Sequence, residues 1–363
     1  MRLSLTAVCI AFLQVGPIGV TVRAETLAVG DPAPKLDVSQ WVKGEKVDRF
    51  EPDQTYVVEF WATWCEPCRQ CMPHLTQLQT KYKDSTTFIG ISVWETDQKQ
   101  VGPFVRKMAD RMGYRVGLDN VPDDAKDGSR GKTADSWLKA AGEQEIPVAF
   151  IVKDTKIAWI GHPTALDQPL AKVIAGRWDF DVAANERRGE KAAEARLNRF
   201  FDTTVELVQE HQHREAITAV NNAISANPEL EHRLGLLKVS VLAEAEEDEN
   251  LTVYGSKLLD SVWKENYDAL NYLALTIVTR DRESRPSPKL LKLALRAAER
   301  ANDLNQGESG RILDTLARVC FASGDPERAA NLEEKALSLA EREAPQWRER
   351  LETYRKAASK KGR

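Results

Sequence analysis

Residues 57–69 read Val57-Val58-Glu59-Phe60-Trp61-Ala62-Thr63-Trp64-Cys65-Glu66-Pro67-Cys68-Arg69, and their reading decides the fold of what surrounds them. Tyr56 to Trp61 is a short apolar run of the kind that forms a buried strand, and Cys68 to Tyr82 carries helical periodicity. Two cysteines separated by two residues therefore stand where a strand ends and a helix opens. There, unpaired backbone N–H groups and the positive end of the helix dipole stabilise a thiolate. Cys65 is expected at the tip, exposed and activated, with Cys68 one turn inside. Such a pair suits thiol–disulfide exchange: one thiolate attacks a disulfide, a mixed disulfide forms, and the second thiol resolves it. The same spacing is half of a zinc site, but no second pair of cysteines separate from this cluster follows.

Outward from the pair, Cys71 adds a third cysteine, while Cys9 and Cys320 stand far off in the sequence. A structural disulfide framework spreads its cysteines, so this crowding points to redox or metal chemistry. Cys71 is open to three readings: a small buried residue, an auxiliary redox thiol, or a metal ligand. Helix geometry opposes a simple Cys68–Cys71 bond, because side chains three apart have Cβ atoms about 5–6 Å apart where a disulfide wants about 3.8 Å. Cys65, Cys68, Cys71 and His74 fan around a helix rather than converge on one ion. Glu59, in an apolar strand, is expected to have a pKa raised by desolvation. Glu66 places a negative charge between the cysteines, which disfavours the thiolate and favours a reductant.

The rest of the chain divides in two. Up to about residue 177, strand-like and helix-like stretches alternate: Thr87 to Val93 as a strand, Val101 to Met112 as a helix, Val148 to Lys153 and Lys156 to Ile160 as a hairpin around Asp154-Thr155, and Asp167 to Ala175 as a helix. Asn120 to Lys132 is polar and glycine-bearing, so a loop is expected. Beyond about residue 190 the pattern is helix after helix. Ala294 and Ala329 are about one 34-residue period apart, and Gly324-Asp325-Pro326 opens the last unit. Three or four divergent paired-helix repeats are expected, with an irregular bundle as the alternative. Cys320 falls at a packing position within them.

Composition bounds the function. Of 363 residues, 42% are hydrophobic and 29% charged, enough apolar material for ordinary cores. The formal charge of -4 and the interspersed signs give no phosphate-binding face, so nucleic acid is set aside. No Ser-His-Asp arrangement, phosphate loop or dinucleotide fingerprint appears. Arg2, the apolar run Leu3 to Leu13 and Val22-Arg23-Ala24 read as an export signal cleaved after Ala24, with an uncleaved membrane anchor as the alternative.

The quoted stretch resembles the thioredoxin superfamily, and most closely its TlpA/ResA-type exported thiol-disulfide oxidoreductases. The likeness covers about residues 28–177, from Gly30-Asp31-Pro32-Ala33-Pro34 to Ile146-Pro147 and Gly161-His162-Pro163. It implies an α/β thioredoxin-like fold, a central mixed sheet flanked by helices, followed here by an all-α tetratricopeptide-like repeat domain. The expected boundaries are 1–24 for the signal, 25–177 for the redox domain, 178–195 for a linker and 196–360 for the repeats. By resemblance, Pro147 is the cis-proline beside the dithiol, Glu59 the buried acid that takes a proton as Cys68 becomes nucleophilic, and Pro73 the helix-kinking proline. Trp64, Glu66, Pro67 and Ile146 are implied to meet substrate. Cys71 departs from the pattern, since relatives usually carry a non-cysteine residue there. The resemblance further implies no metal and no cofactor beyond the Cys65–Cys68 disulfide, disulfide-containing exported proteins as substrates, a membrane thiol-reductase donor, a periplasmic or otherwise exported location, and a protein partner on the repeats. A narrower likeness, to ResA-type reductases that prepare apocytochrome c thiols, rests on Glu66 and Pro67. The competing class is an interaction scaffold whose redox centre is secondary or regulatory, and a third reading is a thiol peroxidase.

Overall fold

The computed structural model describes residues 27–123, 125, 130–279, 285–340 and 344–361, so the expected export signal lies outside the described residues. The chain divides into two compact units that meet between Ala195 and Arg196.

The first unit is built on a sheet of β1 (Val38–Lys43), β2 (Thr55–Trp61), β3 (Thr86–Ser92), β4 (Arg115–Asp119), β5 (Val148–Lys153) and β6 (Lys156–Gly161), ordered β1-β4-β3-β2-β5-β6. β2 runs parallel to β3 and antiparallel to β5, and every one of its residues is buried. That is what a run this rich in apolar residues, broken only by Glu59, requires of a strand covered on both faces. The hairpin expected around Asp154-Thr155 forms, with both residues at positive φ, the backbone that a tight two-residue turn needs. Side chains alternate across β2, so Val57 and Trp61 face one core with Glu59 on their side, while Val58 and Phe60 face the other. Val57 and Trp61 pack with Cys68, Met72 and Leu75 of α1 (Glu66–Lys81). Pro73 lies inside α1, where it has no N–H for the Arg69 carbonyl. On the opposite face Trp137 sits edge-on to Phe150, their rings 5.1 Å apart.

Two local details differ from expectation. The helix expected to reach Met112 is α2 (Val101–Met108), which gives way to a 3₁₀ turn at Ala109, where φ is 46°. The polar segment 120–132 ends in a short helix, α3 (Lys132–Ala134), prolonged by a π turn over Asp135–Lys139. Asp119, fully buried, accepts the Thr133 N–H at 2.8 Å and the Ala134 N–H at 3.1 Å, supplying partners that a helix start lacks. Burial pushes the Asp119 carboxyl up to about 6, against the pull of those N–H groups. The carboxylate leaves no room at Gly131, where a Cβ would lie 1.7 Å from Asp119 Oδ2. Gly131→Ala is therefore expected to lower stability by about 2 kcal/mol or more, read as a shift of the urea midpoint. An unchanged midpoint would show that the Asp119 clasp is not needed. The first unit continues through α4 (Asp167–Ile174).

Of the segment 178–195 expected as linker, residues 180–195 are helical as the first part of α5 (Phe180–Gln209). Trp178 donates its indole N–H to the Ala158 carbonyl at 3.0 Å, and Phe180 and Ala183 pack into the core beside Ile157 and Ile160. Apolar residues thus hold the start of this segment to the sheet.

The second unit contains the rest of α5 and then α6 (His213–Ala226), α7 (Glu231–Glu244), α8 (Asp248–Asp260), α9 (Tyr267–Thr279), α10 (Pro288–Leu304), α11 (Gly310–Ala322), α12 (Pro326–Ser338) and α13 (Pro345–Lys361). From α9 to α13 each helix packs on the next, and α8 with α10 and α9 with α11 also touch. That nearest-neighbour stacking is the pattern of a helical repeat array. Ala294, Ala297, Ala298, Ala301, Ala317 and Ala329 are fully buried, and their small side chains set how closely the helices approach. Cys320 is a buried free thiol among them. Among the described residues no helix is long and apolar enough to cross a membrane.

Candidate active site

After Trp61, β2 leaves the sheet through Ala62, Thr63 and Trp64, and the Cys65 N–H closes this turn on the Ala62 carbonyl at 3.2 Å. Cys65 is the N-cap of α1 in extended conformation, and its sulfur takes the place of the usual oxygen cap by accepting the Cys68 N–H at 3.2 Å. Cys65 and Cys68 are joined in a disulfide, S–S 2.00 Å. The Cys65 sulfur thus sits at the donor end of a helix, the setting that stabilises a thiolate on reduction.

Cys65 is not exposed as expected, being only 4% accessible, and Cys68 is wholly buried. The cause is the opposing loop: the Ile146–Pro147 peptide is cis, and the Ile146 carbonyl oxygen lies 3.7 Å from Cys65 Sγ. The exposed surface is supplied instead by Trp64, 43% accessible, and by Pro67. Trp64 is held at one end, since its indole N–H donates to the Trp94 carbonyl at 3.1 Å. Glu66 occupies the first turn of α1, half-buried.

Glu59 is 1% accessible on the side of β2 that α1 covers. Tyr114 donates its hydroxyl to Glu59 Oε2 at 2.8 Å, whereas Oε1 is buried without a hydrogen-bond partner. Burial pushes the Glu59 carboxyl up to about 8, with the Tyr114 hydrogen bond pulling the other way. Burial and the Glu59 charge hold Tyr114 protonated, so it remains a donor. Cys71 is a free buried thiol with no bond to Cys68. Burial, and then the charge on Glu59, push the Cys71 thiol up to about 11, which keeps it neutral and poorly nucleophilic. His74 pairs with Asp167 at 2.8 Å, and among the described residues no three His, Cys, Asp or Glu side chains converge as a metal site.

The structure thus brings Trp64, Cys65, Glu66, Pro67 and Cys68 together at the start of α1, sets the Ile146–Pro147 loop against Cys65, and buries Glu59 and Cys71. Three participants escaped the sequence reading: Tyr114, Trp94 and Glu95. Trp94-Glu95 follows the strand expected at Thr87 to Val93. In an open sheet with parallel strands the carboxyl ends of neighbouring strands build one site, which was the available signal.

The sequence pattern of the Thioredoxin family matches residues 44–112. The chain is 30% identical over 217 residues to Protein FixW of Rhizobium leguminosarum, covering 57% of this chain and 94% of that protein. It is also 30% identical over 159 residues to the thiol-disulfide oxidoreductase ResA of Bacillus thuringiensis subsp. konkukian, covering 41% of this chain and 82% of that one. A solved thiol-disulfide oxidoreductase from Bacteroides fragilis aligns over 39% of this chain and 99% of its own, at 22% identity and a TM-score of 0.32. With a dithiol pair at the start of α1, a cis-proline loop against it and relatives matched over nearly their whole length, the chain belongs to the thioredoxin family as a thiol-disulfide oxidoreductase.

Proposed function

We propose that this protein reduces disulfides in polypeptides outside the cytoplasm. The observation that carries the reading is the Cys65–Cys68 pair on the α1 N-terminus, with Cys65 sulfur against the Ile146 carbonyl. In the reduced enzyme the Cys65 thiolate attacks one sulfur of a substrate disulfide, and the other substrate sulfur leaves as a thiolate. Cys68 then gives up its proton and attacks Cys65 Sγ, which re-forms the intramolecular disulfide and releases the second substrate thiol. Two electrons and two protons pass from enzyme to substrate, and no cofactor beyond the dithiol is called for.

Glu59, with a free oxygen and a carboxyl pushed up to about 8, is suited to take the Cys68 proton. Trp64, Pro67 and Ile146 form the face a substrate segment meets, with Pro147 fixing the loop. The charge of Glu66 beside Cys65 supports the reducing direction, and in this reading Cys71, buried with its thiol pushed up to about 11, is a packing residue and not an auxiliary redox thiol. Electrons reach the enzyme from a membrane thiol donor. The leader-like sequence at residues 1–24 supports export, cleaved or as an anchor, with a redox domain over 25–177, a linker over 178–195 and tetratricopeptide-like repeats over 196–360 that dock a protein partner. Cys68→Ser tests this, because it leaves the Cys65 mixed disulfide unresolved. Exported proteins carrying disulfides are expected to be recovered linked to Cys65. Recovery of repeat-bound proteins with none linked through sulfur would favour the scaffold reading instead.

A further inference from the structure

We propose that Glu95 is a positioning residue for the dithiol: its carboxylate holds the turn that carries Cys65 at the attacking position. The inference rests on the exchange function proposed above.

Glu95 is 5% accessible and lies just beyond β3. Its Oε1 accepts the Thr63 N–H at 2.6 Å and the Ser92 hydroxyl at 3.0 Å, and its Oε2 accepts the Thr63 hydroxyl at 2.7 Å. The residue before it, Trp94, stands at φ 55°, and its carbonyl accepts the Trp64 indole N–H. Two consecutive residues of one loop therefore hold the two consecutive residues that precede Cys65. The Val93 N–H to the Trp61 carbonyl, 2.9 Å, carries the same seam back to the sheet.

The turn needs such a clasp. Between Trp61 and Cys65 the chain leaves the ladder, and Thr63 has an N–H that no strand neighbour takes. Among the described residues, Glu95 also lines an open pocket of about 450 Å³ with Ser39, Thr96, Asp97, Gln98 and Leu118. Charge-assisted hydrogen bonds from one buried carboxylate fix the turn. The dependent coordinate is the placement of Cys65 sulfur between the α1 N-terminus and the Ile146 carbonyl. Small displacements of a reacting atom cost rate far more than binding.

The test is steady-state reduction of insulin disulfides by the full chain, with each variant assayed well below its own melting temperature. Glu95→Ala is expected to lower kcat about tenfold or more with KM changed less than about twofold. Glu95→Gln, whose amide oxygen can still accept the Thr63 N–H, is expected to recover part of the loss. Thr63→Val removes one donor and leaves the carboxylate, so it decides the matter if the Glu95 variants do not fold, and about a threefold loss in kcat is expected. Unchanged kcat in a folded Glu95→Ala or Thr63→Val protein overturns the proposal, as does a loss that follows melting temperature alone with no recovery in Glu95→Gln. Inactive wild-type protein would instead sink the exchange reading on which the proposal rests.

Discussion

Cys65→Ser is expected to abolish disulfide reduction, with a loss of about 10³-fold or more in kcat/KM. The magnitude follows from what is left. A serine hydroxyl is not ionised near neutral pH and cannot form the mixed disulfide. Cys68 cannot replace it, being wholly buried beneath Cys65, and Cys71 is buried with its thiol pushed up to about 11. The variant should fold, since serine is a good N-cap and its oxygen can accept the Cys68 N–H that Cys65 sulfur now accepts. Residual turnover above a few per cent would mean that another thiol attacks first, contrary to the geometry.

Glu59→Gln is the second large effect, and it has opposite signs for stability and activity. The carboxyl has a pKa of about 8 in the fold against a reference of 4.5. Below pH 4.5 it is protonated whether the chain is folded or not, and the raised pKa costs nothing. As pH rises from 4.5 to 8 the unfolded chain ionises first, and folding stability is lost progressively across that window. Glutamine removes this loss, so the variant should gain roughly 2–4 kcal/mol relative to wild type between pH 4.5 and pH 8.5. The buried amide adds a cost of its own where Oε1 lacks a partner, but that cost does not vary with pH. Urea unfolding at pH 4.5 and 8.5 separates the two: a stability difference that stays constant with pH would refute the buried ionisation. Over the same range the variant should lose the step in exchange rate near pH 8, with turnover down about 10- to 100-fold.

What the sequence made legible was what depends on near neighbours. The cysteine pair announced itself because strand, turn and helix start lie within one short stretch, and Asp154-Thr155 announced its hairpin for the same reason. Glu59 was readable because a carboxylate in an apolar strand has nowhere else to be. The details that need tertiary register were not readable. Tyr114 reaches Glu59 only because β4 pairs with β3 beside β2, and Glu95 reaches Thr63 only because β3 ends where β2 ends. β1 is a half-buried edge strand with register breaks, too weakly patterned to stand out. The exposure expected of Cys65 failed because a helix tip is open to solvent in isolation, whereas here the loop of the cis-proline closes over it. Asp119 and Gly131 show the same limit: a glycine in a polar stretch reads as loop, and its role as clearance for a buried carboxylate exists only in the fold.

The central claim is that electrons leave this protein through Cys65 and Cys68 and through no other thiol. Reduced protein mixed with one equivalent of a disulfide substrate, quenched by alkylation and mapped by peptide mass, tests it most directly. Two thiols should be lost per disulfide reduced, both in the peptide carrying Cys65 and Cys68, with Cys71 and Cys320 remaining free thiols that are alkylated on unfolding to the same extent with and without substrate. Loss of the Cys71 thiol in place of Cys68, or substrate reduction with the Cys65–Cys68 pair still reduced, would contradict the account.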